Sequence, residues 1–304
     1  MKIGIDLGGS HVAIGVINSF GIILEKDERR ILEEDKNNIC QIIEDYIYKK
    51  VKEFSSKYSI TLIGIAIPGT VDNKNIIKSV NLGIENYGIV EKLSKRIEDI
   101  PIKIMNDAKC AALAEKEYGQ LKQISRGIFI SLGTGIGGAV IINNQLLDAG
   151  SLPGIEIGHM VIKKDGLKCN CGNRGCFERY ASMKALKINL RRALNLSEST
   201  SGKELLQYLK LPIKPGTDGN ISKVSKVIDD FIDYLCIGIG NMVNIFEPEE
   251  IVIGGSFVYF EDIFLDNLKQ RIINGPYLFN KRKDLVIKTA TLGNDAGIIG
   301  ASLV

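Results

Sequence analysis

The chain has 304 residues, 45% hydrophobic and 25% charged, which is a composition for one large or two ordinary globular domains and excludes disorder as the dominant state. Lys and Arg total 39 against 36 Asp and Glu, a net charge of +3 that argues against a nucleic-acid binder on charge alone. No stretch approaches the roughly 18 apolar residues that cross a bilayer, and the opening MKIGID lacks a signal-peptide layout, so no membrane association and a cytoplasmic location are expected.

Ile3, Ile5 and Leu7 alternate over 2–7 and predict a strand. Gly8-Gly9-Ser10 breaks it, and strand character resumes over 11–17 (HVAIGVI). Because β-branched residues follow the glycines, a hairpin is expected there, with a third strand over 21–27. Glu33-Glu34-Asp35, like Lys281-Arg282-Lys283 near the other end, reads as solvated surface. Ile39, Ile42, Ile43, Tyr46, Ile47, Val51 and Phe54 recur at helical spacing and predict an amphipathic helix over 34–57. Residues 61–67 (TLIGIAI) predict a buried strand ended by Pro68-Gly69. A helix is expected near 89–98, a strand over 102–105, and a helix over 107–118 with Asp107 near its start.

Residues 127–132 (GIFISL) repeat the opening theme: strand, then Gly133-Thr134-Gly135-Ile136-Gly137-Gly138, then strand over 139–142. The stretch 145–180 is loop-rich. Helices are expected over 182–194, 202–210 and 222–246, with a loop over 211–220. A strand over 250–253 runs into Gly254-Gly255-Ser256, followed by a helix over 260–273, a strand over 285–290 and a last helix from about 294. The strand–glycine turn–strand unit at 2–17 and again at 127–142 opens two regions of alternating strands and helices. Two similar α/β halves, each offering a glycine hairpin to a central cleft, is the expected architecture.

Three glycine turns at strand ends suit phosphate, because backbone N–H groups approach it closely only where no Cβ intervenes. The G-x-G-x-x-G match at 133–138 is rejected as a dinucleotide fingerprint, since a strand follows it and not a helix. No P-loop motif occurs. Asp6, just before the first turn, is placed to hold Mg²⁺ directly or through water. Asp107, after Asn106 at a helix start, reads either as a cap or as a general base for a hydroxyl nucleophile. His11 reads as a partly exposed strand residue, with a contact to nucleotide as the alternative.

Cys169, Cys171 and Cys176 lie in the glycine-punctuated loop KCNCGNRGCFE, and His159, one of only two histidines, precedes them. Three thiolates and one imidazole make a tetrahedral Zn²⁺ site with no open position, hence a structural zinc. Cys40, Cys110 and Cys236 stand alone among apolar neighbours and read as packed thiols.

The segments Glu156-Ile-Gly-His159 and Cys169-Asn-Cys171-Gly-Asn-Arg-Gly-Cys176-Phe-Glu178 resemble the signature of ROK-family sugar kinases, within the actin/hexokinase-like ATPase superfold. Asp6-Leu-Gly-Gly9-Ser10 resembles that family's first phosphate motif, Ser131-Leu-Gly-Thr134-Gly135 its second, Ile251–Gly255 its adenosine motif, and Asp295–Gly300 its connecting helix. The resemblance spans nearly the whole chain and implies a two-lobed α/β fold with a central interdomain cleft. The small lobe would comprise 1–118 plus 292–304, and the larger lobe, 119–291, would carry the zinc loop. It further implies ATP-dependent phosphorylation of a hexose hydroxyl, O6 of glucose as the first choice, with Mg²⁺ and a homodimer of a kind frequent among relatives. Asp107 would be the catalytic base. Asn106, Glu156, His159 and Glu178 would bind sugar hydroxyls, with Gly69 and Asn81 lining the same pocket. Gly9, Ser10, Thr134 and Gly135 would face the phosphates, and Gly254 and Gly255 the adenosine. ROK proteins also include sugar-sensing repressors; the phosphate motif beginning at Asp6 leaves no preceding room for a DNA-reading helix-turn-helix, so a kinase is the expectation.

Overall fold

The computed structural model describes residues 1–147, 155–210 and 218–304, and the chain divides into two compact α/β units. The first comprises Met1–Ile124, Ala139–Ile155 and Thr291–Val304; the second comprises Ser125–Gly138 and Glu156–Ala290.

In the first unit, β1 (Lys2–Leu7) and β2 (His11–Ile17) pair antiparallel with Leu7 opposite Val12, so Gly8-Gly9-Ser10 is the hairpin turn expected from the sequence. β3 (Ile23–Arg30) starts and ends later than the expected 21–27, because its ladder with β2 continues until Arg30 meets His11. α1 spans Ile39–Ser55, and the residues before it (Glu34–Asn38) form a tighter 3-10 turn. Asp35 corrects the reading of Glu33-Glu34-Asp35 as solvated: it is buried, accepting from Arg29 (3.1 Å) and from the Leu32 N–H (2.9 Å). β4 (Leu62–Ile67) runs parallel to β1. Then comes a small antiparallel sheet of β5 (Thr70–Val71), β6 (Ile76–Ser79) and β7 (Ile84–Tyr87), which the sequence did not announce. α2 (Ile89–Ser94) is shorter than expected; β8 (Ile102–Asn106) and α3 (Asp107–Tyr118) follow without a break. The sheet order is β3-β2-β1-β4-β8.

Burial explains this assembly. Ile3, Ile5 and Leu7 of β1 form one core with the α1 row Ile39, Ile43, Ile47, Val51 and Phe54, a stripe at three- and four-residue spacing. On the other face the strands carry glycine, since a Cβ at Gly4 or Gly64 would strike the carbonyls of Ile298 or Ala301.

In the second five-stranded sheet, β9 (Gly127–Leu132) leads into β10 (Ile136–Ile142). β10 starts three residues earlier than expected, so Gly137 and Gly138 belong to the strand; the tight turn is Gly133–Gly135, closed by the Gly133 N–H on the Gly135 carbonyl (3.0 Å). β11 is Gln145–Leu146. Helices α4 (Glu178–Ala181), α5 (Met183–Leu194), α6 (Gly202–Lys210) and α7 (Asp218–Phe246) follow. Of the expected loop 211–220, residues 211–217 lie outside the described residues and 218–220 are helical. β12 (Glu250–Gly255), α8 (Glu261–Asn274) and β13 (Val286–Thr289) complete a sheet of order β11-β10-β9-β12-β13. The chain then returns to the first unit as α9 (Ala296–Ala301).

The return is fixed by one side chain. Glu115 of α3 is fully buried, and its carboxylate accepts from the backbone N–H groups of Gln120 (2.8 Å), Thr291 (2.8 Å) and Leu292 (2.9 Å). Charge-assisted bonds of this number are what a buried carboxylate requires. Among the isolated cysteines, Cys110 and Cys236 are buried and Cys40 packs partly buried against the first core, as expected of inert thiols. No helix among the described residues is long and apolar enough to cross a membrane.

Candidate active site and metal centre

The sequence-predicted residues fall into two sets, one in each unit. In the first unit, Asn106 is the N-cap of α3: its side-chain oxygen accepts from the N–H groups of Ala108 (3.0 Å) and Lys109 (3.2 Å). Its amide nitrogen donates to the Gly69 carbonyl (3.0 Å), tying the helix start to the turn after β4. Gly69 needs to be glycine: φ is +114°, and a Cβ would strike the Lys78 carbonyl. With Asn106 as the cap, Asp107 is left as the first helical residue, half-buried, with Oδ1 accepting from the Ala108 N–H (2.9 Å). Asn81 packs at the first glycine turn; a Cβ at Gly9 would lie 3.2 Å from that of Asn81. The fold thus gathers Gly9, Gly69, Asn81, Asn106 and Asp107 from segments far apart in sequence.

Asp6, near the end of β1, has its carboxylate against Gly297 of α9. Burial pushes its pKa up to about 6; Lys26 pulls it down and Glu28 adds to the rise. Cys110 lies within electrostatic reach of both carboxylates: burial raises its pKa first, then Asp107 and Asp6. At the first turn the Ser10 hydroxyl lies 3.4 Å from Nδ1 of His11, and His11 is exposed, as read from the sequence.

In the second unit, the ligand atoms of His159, Cys169, Cys171 and Cys176 all lie within 4.8 Å of one another. Cys171 Sγ to Cys176 Sγ is 3.6 Å and Cys169 Sγ to His159 Nδ1 is 3.7 Å. With zinc–ligand bonds of about 2.0–2.3 Å, such separations are those of neighbouring corners of a tetrahedron. Local backbone builds the cage. The Cys169 N–H donates to the Asn173 carbonyl (2.8 Å), and Gly172 (φ +99°) and Gly175 (φ +81°) supply the left-handed bends between ligands. The thiols compete for protons. Burial pushes Cys169 up to about 12, whereas Cys171 ends below its ordinary value, because the Asn173 N–H and the neighbouring thiols outweigh its own burial. A divalent cation ends that competition by taking all three as thiolates. The donor set, its closure and its geometry fit a structural Zn²⁺.

The metal loop continues directly into the predicted sugar residues. Glu156 opens the 3-10 turn Ile157–His159. Glu178, at the start of α4, brings Oε1 to 3.2 Å from Cys169 Sγ and 4.0 Å from His159 Nδ1. Its Oε2 fills the space where a Cβ at Gly135 would come within 2.6 Å. One carboxylate therefore touches both the metal cage and the second glycine turn. The register of β12 on β9, with Gly254 opposite Ser131 and Gly255 opposite Leu132, sets the third glycine pair beside the same turn.

A cavity of about 230 Å³ opens here, lined by Gly133, Thr134, Lys184, Lys187, Arg191 and Ser256. The sequence reading missed the last four. A signal was available: α5 carries Lys184, Lys187, Arg191 and Arg192 and no acidic residue.

The ROK family model matches residues 2–304. The chain is 31% identical to a glucokinase of Halalkalibacterium halodurans (98% of this chain, 92% of the relative). It is 30% identical to a xylose repressor of Caldicellulosiruptor bescii (98% of this chain, 76% of the relative). Among solved structures it resembles a ROK family glucokinase from Streptomyces griseus in complex with glucose and AMPPNP, with a TM-score of 0.77 at 26% identity over 99% of this chain and 97% of that one. A ROK family transcriptional regulator, a homologue of the E. coli MLC protein, gives a TM-score of 0.83 at 24% identity, over 99% and 76% of the two chains, which speaks for the fold alone. With two α/β units, a Cys₃His cage and a family match running from residue 2 to residue 304, the chain belongs to the ROK family.

Proposed function

We propose that the protein is an ATP-dependent sugar kinase that phosphorylates a hexose hydroxyl, O6 of glucose being the first choice. The observation that carries this reading is the cationic cavity beside Gly133-Thr134, because a protein that only senses sugar has no use for a phosphate-donor pocket. Asp107 accepts the proton of the attacking hydroxyl; Asn106, in capping α3, holds the helix start that presents it. Glu156, His159, Glu178 and Asn81 bind sugar hydroxyls, and Gly69 shapes the pocket floor. The Gly9-Ser10 and Thr134-Gly135 turns offer backbone N–H groups to the phosphates, and Gly254-Gly255 face the nucleoside. Asp6 is the residue that would hold Mg²⁺, directly or through water; its burial disfavours the charged carboxylate, and a cation relieves that. When bound, the ion neutralises charge on the transferring phosphoryl group. Zinc keeps His159 and Glu178 in place through the cage and has no part in the transfer.

N-acetylmannosamine, allose, fructose and mannose are the alternative acceptors. The similarity to xylose repressors supports a second reading, a sugar-binding regulator without turnover. Release of ADP measured across a panel of hexoses and N-acetylhexosamines, with and without Mg²⁺, decides between them. A kinase gives Mg²⁺-dependent ADP with one or a few sugars. Sugar binding by calorimetry with no ADP from any of them refutes the kinase and leaves the regulator.

A further inference from the structure

The ligands of the cage are not equally sheltered. Cys169 and Cys176 are 1% and 0% exposed, whereas Cys171 is open to solvent. Lys168 and Arg174 face each other as a bridge pair and close the turn that carries Cys171. Both are exposed, and among the described residues neither forms an ion pair; Arg174 donates to the Gly166 carbonyl (3.3 Å). An exposed thiolate in an electropositive surround is the sort that oxidants attack. A second thiol is in place beside it. Cys176 Sγ lies 3.6 Å from Cys171 Sγ, and the chain between them bends at Gly172 (φ +99°) and Gly175 (φ +81°). A disulfide sets its sulfurs about 2.0 Å apart, so a closing of roughly 1.5 Å joins the pair. Cys169 is the poorer partner: it is only two residues from Cys171, and its sulfur lies against the Glu178 carboxylate (3.2 Å). The cysteines outside the cage, Cys40, Cys110 and Cys236, are half-buried or buried.

We propose that Cys171 and Cys176 are a redox modification site: a peroxide converts the pair to a disulfide, and the cage gives up its metal. The Cys171 thiolate attacks one peroxide oxygen; the S–O bond forms as the O–O bond breaks, and the departing hydroxide takes a proton from solvent to become water. The Cys176 thiolate then attacks that sulfur. The S–S bond forms, the S–O bond breaks, and the second oxygen leaves as water after a further proton. The two sulfurs lose two electrons and the peroxide gains them. Cys169 and His159 remain as the only ligands, two where a structural zinc site has four, and they do not hold the ion. Oxidation then loosens two further side chains. His159 loses its metal, and Glu178, which lies between Cys169 and Gly135, loses the fixed neighbour on one side. Sugar binding weakens as a result, a consequence that rests on the proposed role of both residues as sugar ligands.

The test titrates the zinc-loaded full chain with hydrogen peroxide, reads released metal with a chelating dye and maps the thiols by mass spectrometry of the peptides. The expected result is about one zinc released per peroxide consumed, a Cys171–Cys176 disulfide, and Cys40, Cys110 and Cys236 still reduced. A thiol reductant with fresh Zn²⁺ restores the cage. Cys171→His keeps four ligands in a Cys₂His₂ set without the exposed thiol, and is expected to release zinc at least about tenfold more slowly. Where that variant does not hold zinc, the peptide map of the unaltered protein decides. Zinc retained until the methionines are oxidised, a disulfide that includes Cys169, or equal release from zinc-loaded Cys171→His overturns the proposal. Sugar binding by calorimetry, on oxidised and on re-reduced protein, is a separate arm, with affinity expected to fall about tenfold or more on oxidation and to return on reduction. Unchanged affinity with the disulfide in place overturns the coupling of the cage to the sugar. Zinc release with the expected disulfide in a protein that binds no sugar in either state refutes the kinase and leaves the redox site standing.

Discussion

The turn Gly8–Ser10 follows β1 and the turn Gly133–Gly135 follows β9, and β1 and β9 hold the same place, third of five, in sheets of one strand order. IGIDLGGS in the first unit stands against IFISLGTG in the second. Their electrostatic settings are opposite. Asp6 precedes the first turn, and Ser131 occupies the corresponding position in the second. The first turn thus has a buried carboxylate with a pKa of about 6; the second faces a cavity lined by Lys184, Lys187 and Arg191 of α5, none of which forms an ion pair among the described residues. A repeated backbone presents a glycine turn twice, and a strand side chain at the first and helix side chains at the second give the two turns opposite charge. In the proposed reading the first turn serves the metal and the acceptor, the second the donor's phosphate chain.

That division can be broken experimentally, most sharply at the base. Asp107→Asn should lower turnover by about 10²–10⁴-fold, the usual share of general-base catalysis, with sugar affinity and melting temperature nearly unchanged. Steady-state kinetics that put the loss in KM and not in kcat would remove Asp107 from the chemistry. On the second unit's side, Cys171→Ser takes one of four ligands from the cage. The variant should lose its zinc by elemental analysis, melt several degrees lower and bind sugar more weakly, because His159 and Glu178 lose their anchor. Unaltered protein that contains no zinc when purified without chelator would contradict the assignment.

Glu115→Ala probes the return of the chain into the first unit. It leaves three N–H groups without their acceptor and should cost about 3 kcal/mol of stability in denaturant unfolding. A cost below about 1 kcal/mol would mean that water or a neighbour replaces the carboxylate. The remaining effect, pH-dependent, is at Asp6. Its folded-state pKa, about 6, lies above the unfolded value of 3.8, so the folded chain holds the extra proton between those values. Stability, measured without Mg²⁺, should therefore fall as pH rises from about 4 to above 6. Asp6→Asn should flatten that slope and stabilise the protein at pH 8, with no gain at pH 3.5; an unchanged slope would place the buried acid elsewhere.

Much of this was legible before any coordinates. Both glycine hairpins, the amphipathic α1 and the Cys₃His cage declare themselves through short-range pattern: alternation, three-and-four spacing, and thiols crowded into a polar loop. The sheet of β5, β6 and β7 did not, because strands of two to four residues are too short to show a period against the Asn, Lys and Gly between them. Asp35 and Glu115 look like surface acids in sequence and are buried, each held by partners that only folding supplies.

The sequence by itself determined the family, the Cys₃His cluster and the glycine turns at the strand ends, since each depends on residues within a few positions of one another. The cationic cavity was decided by tertiary structure alone. Gly133-Thr134, Lys184, Lys187, Arg191 and Ser256 come from a strand turn, a helix and a second strand end; the register of β12 on β9 and the Lys184 N–H bond to Gly133 are what make them neighbours. In sequence the three cations are a solvated helix face. In the fold they line a pocket, because long-range packing, and not local spacing, sets which face of a helix meets water.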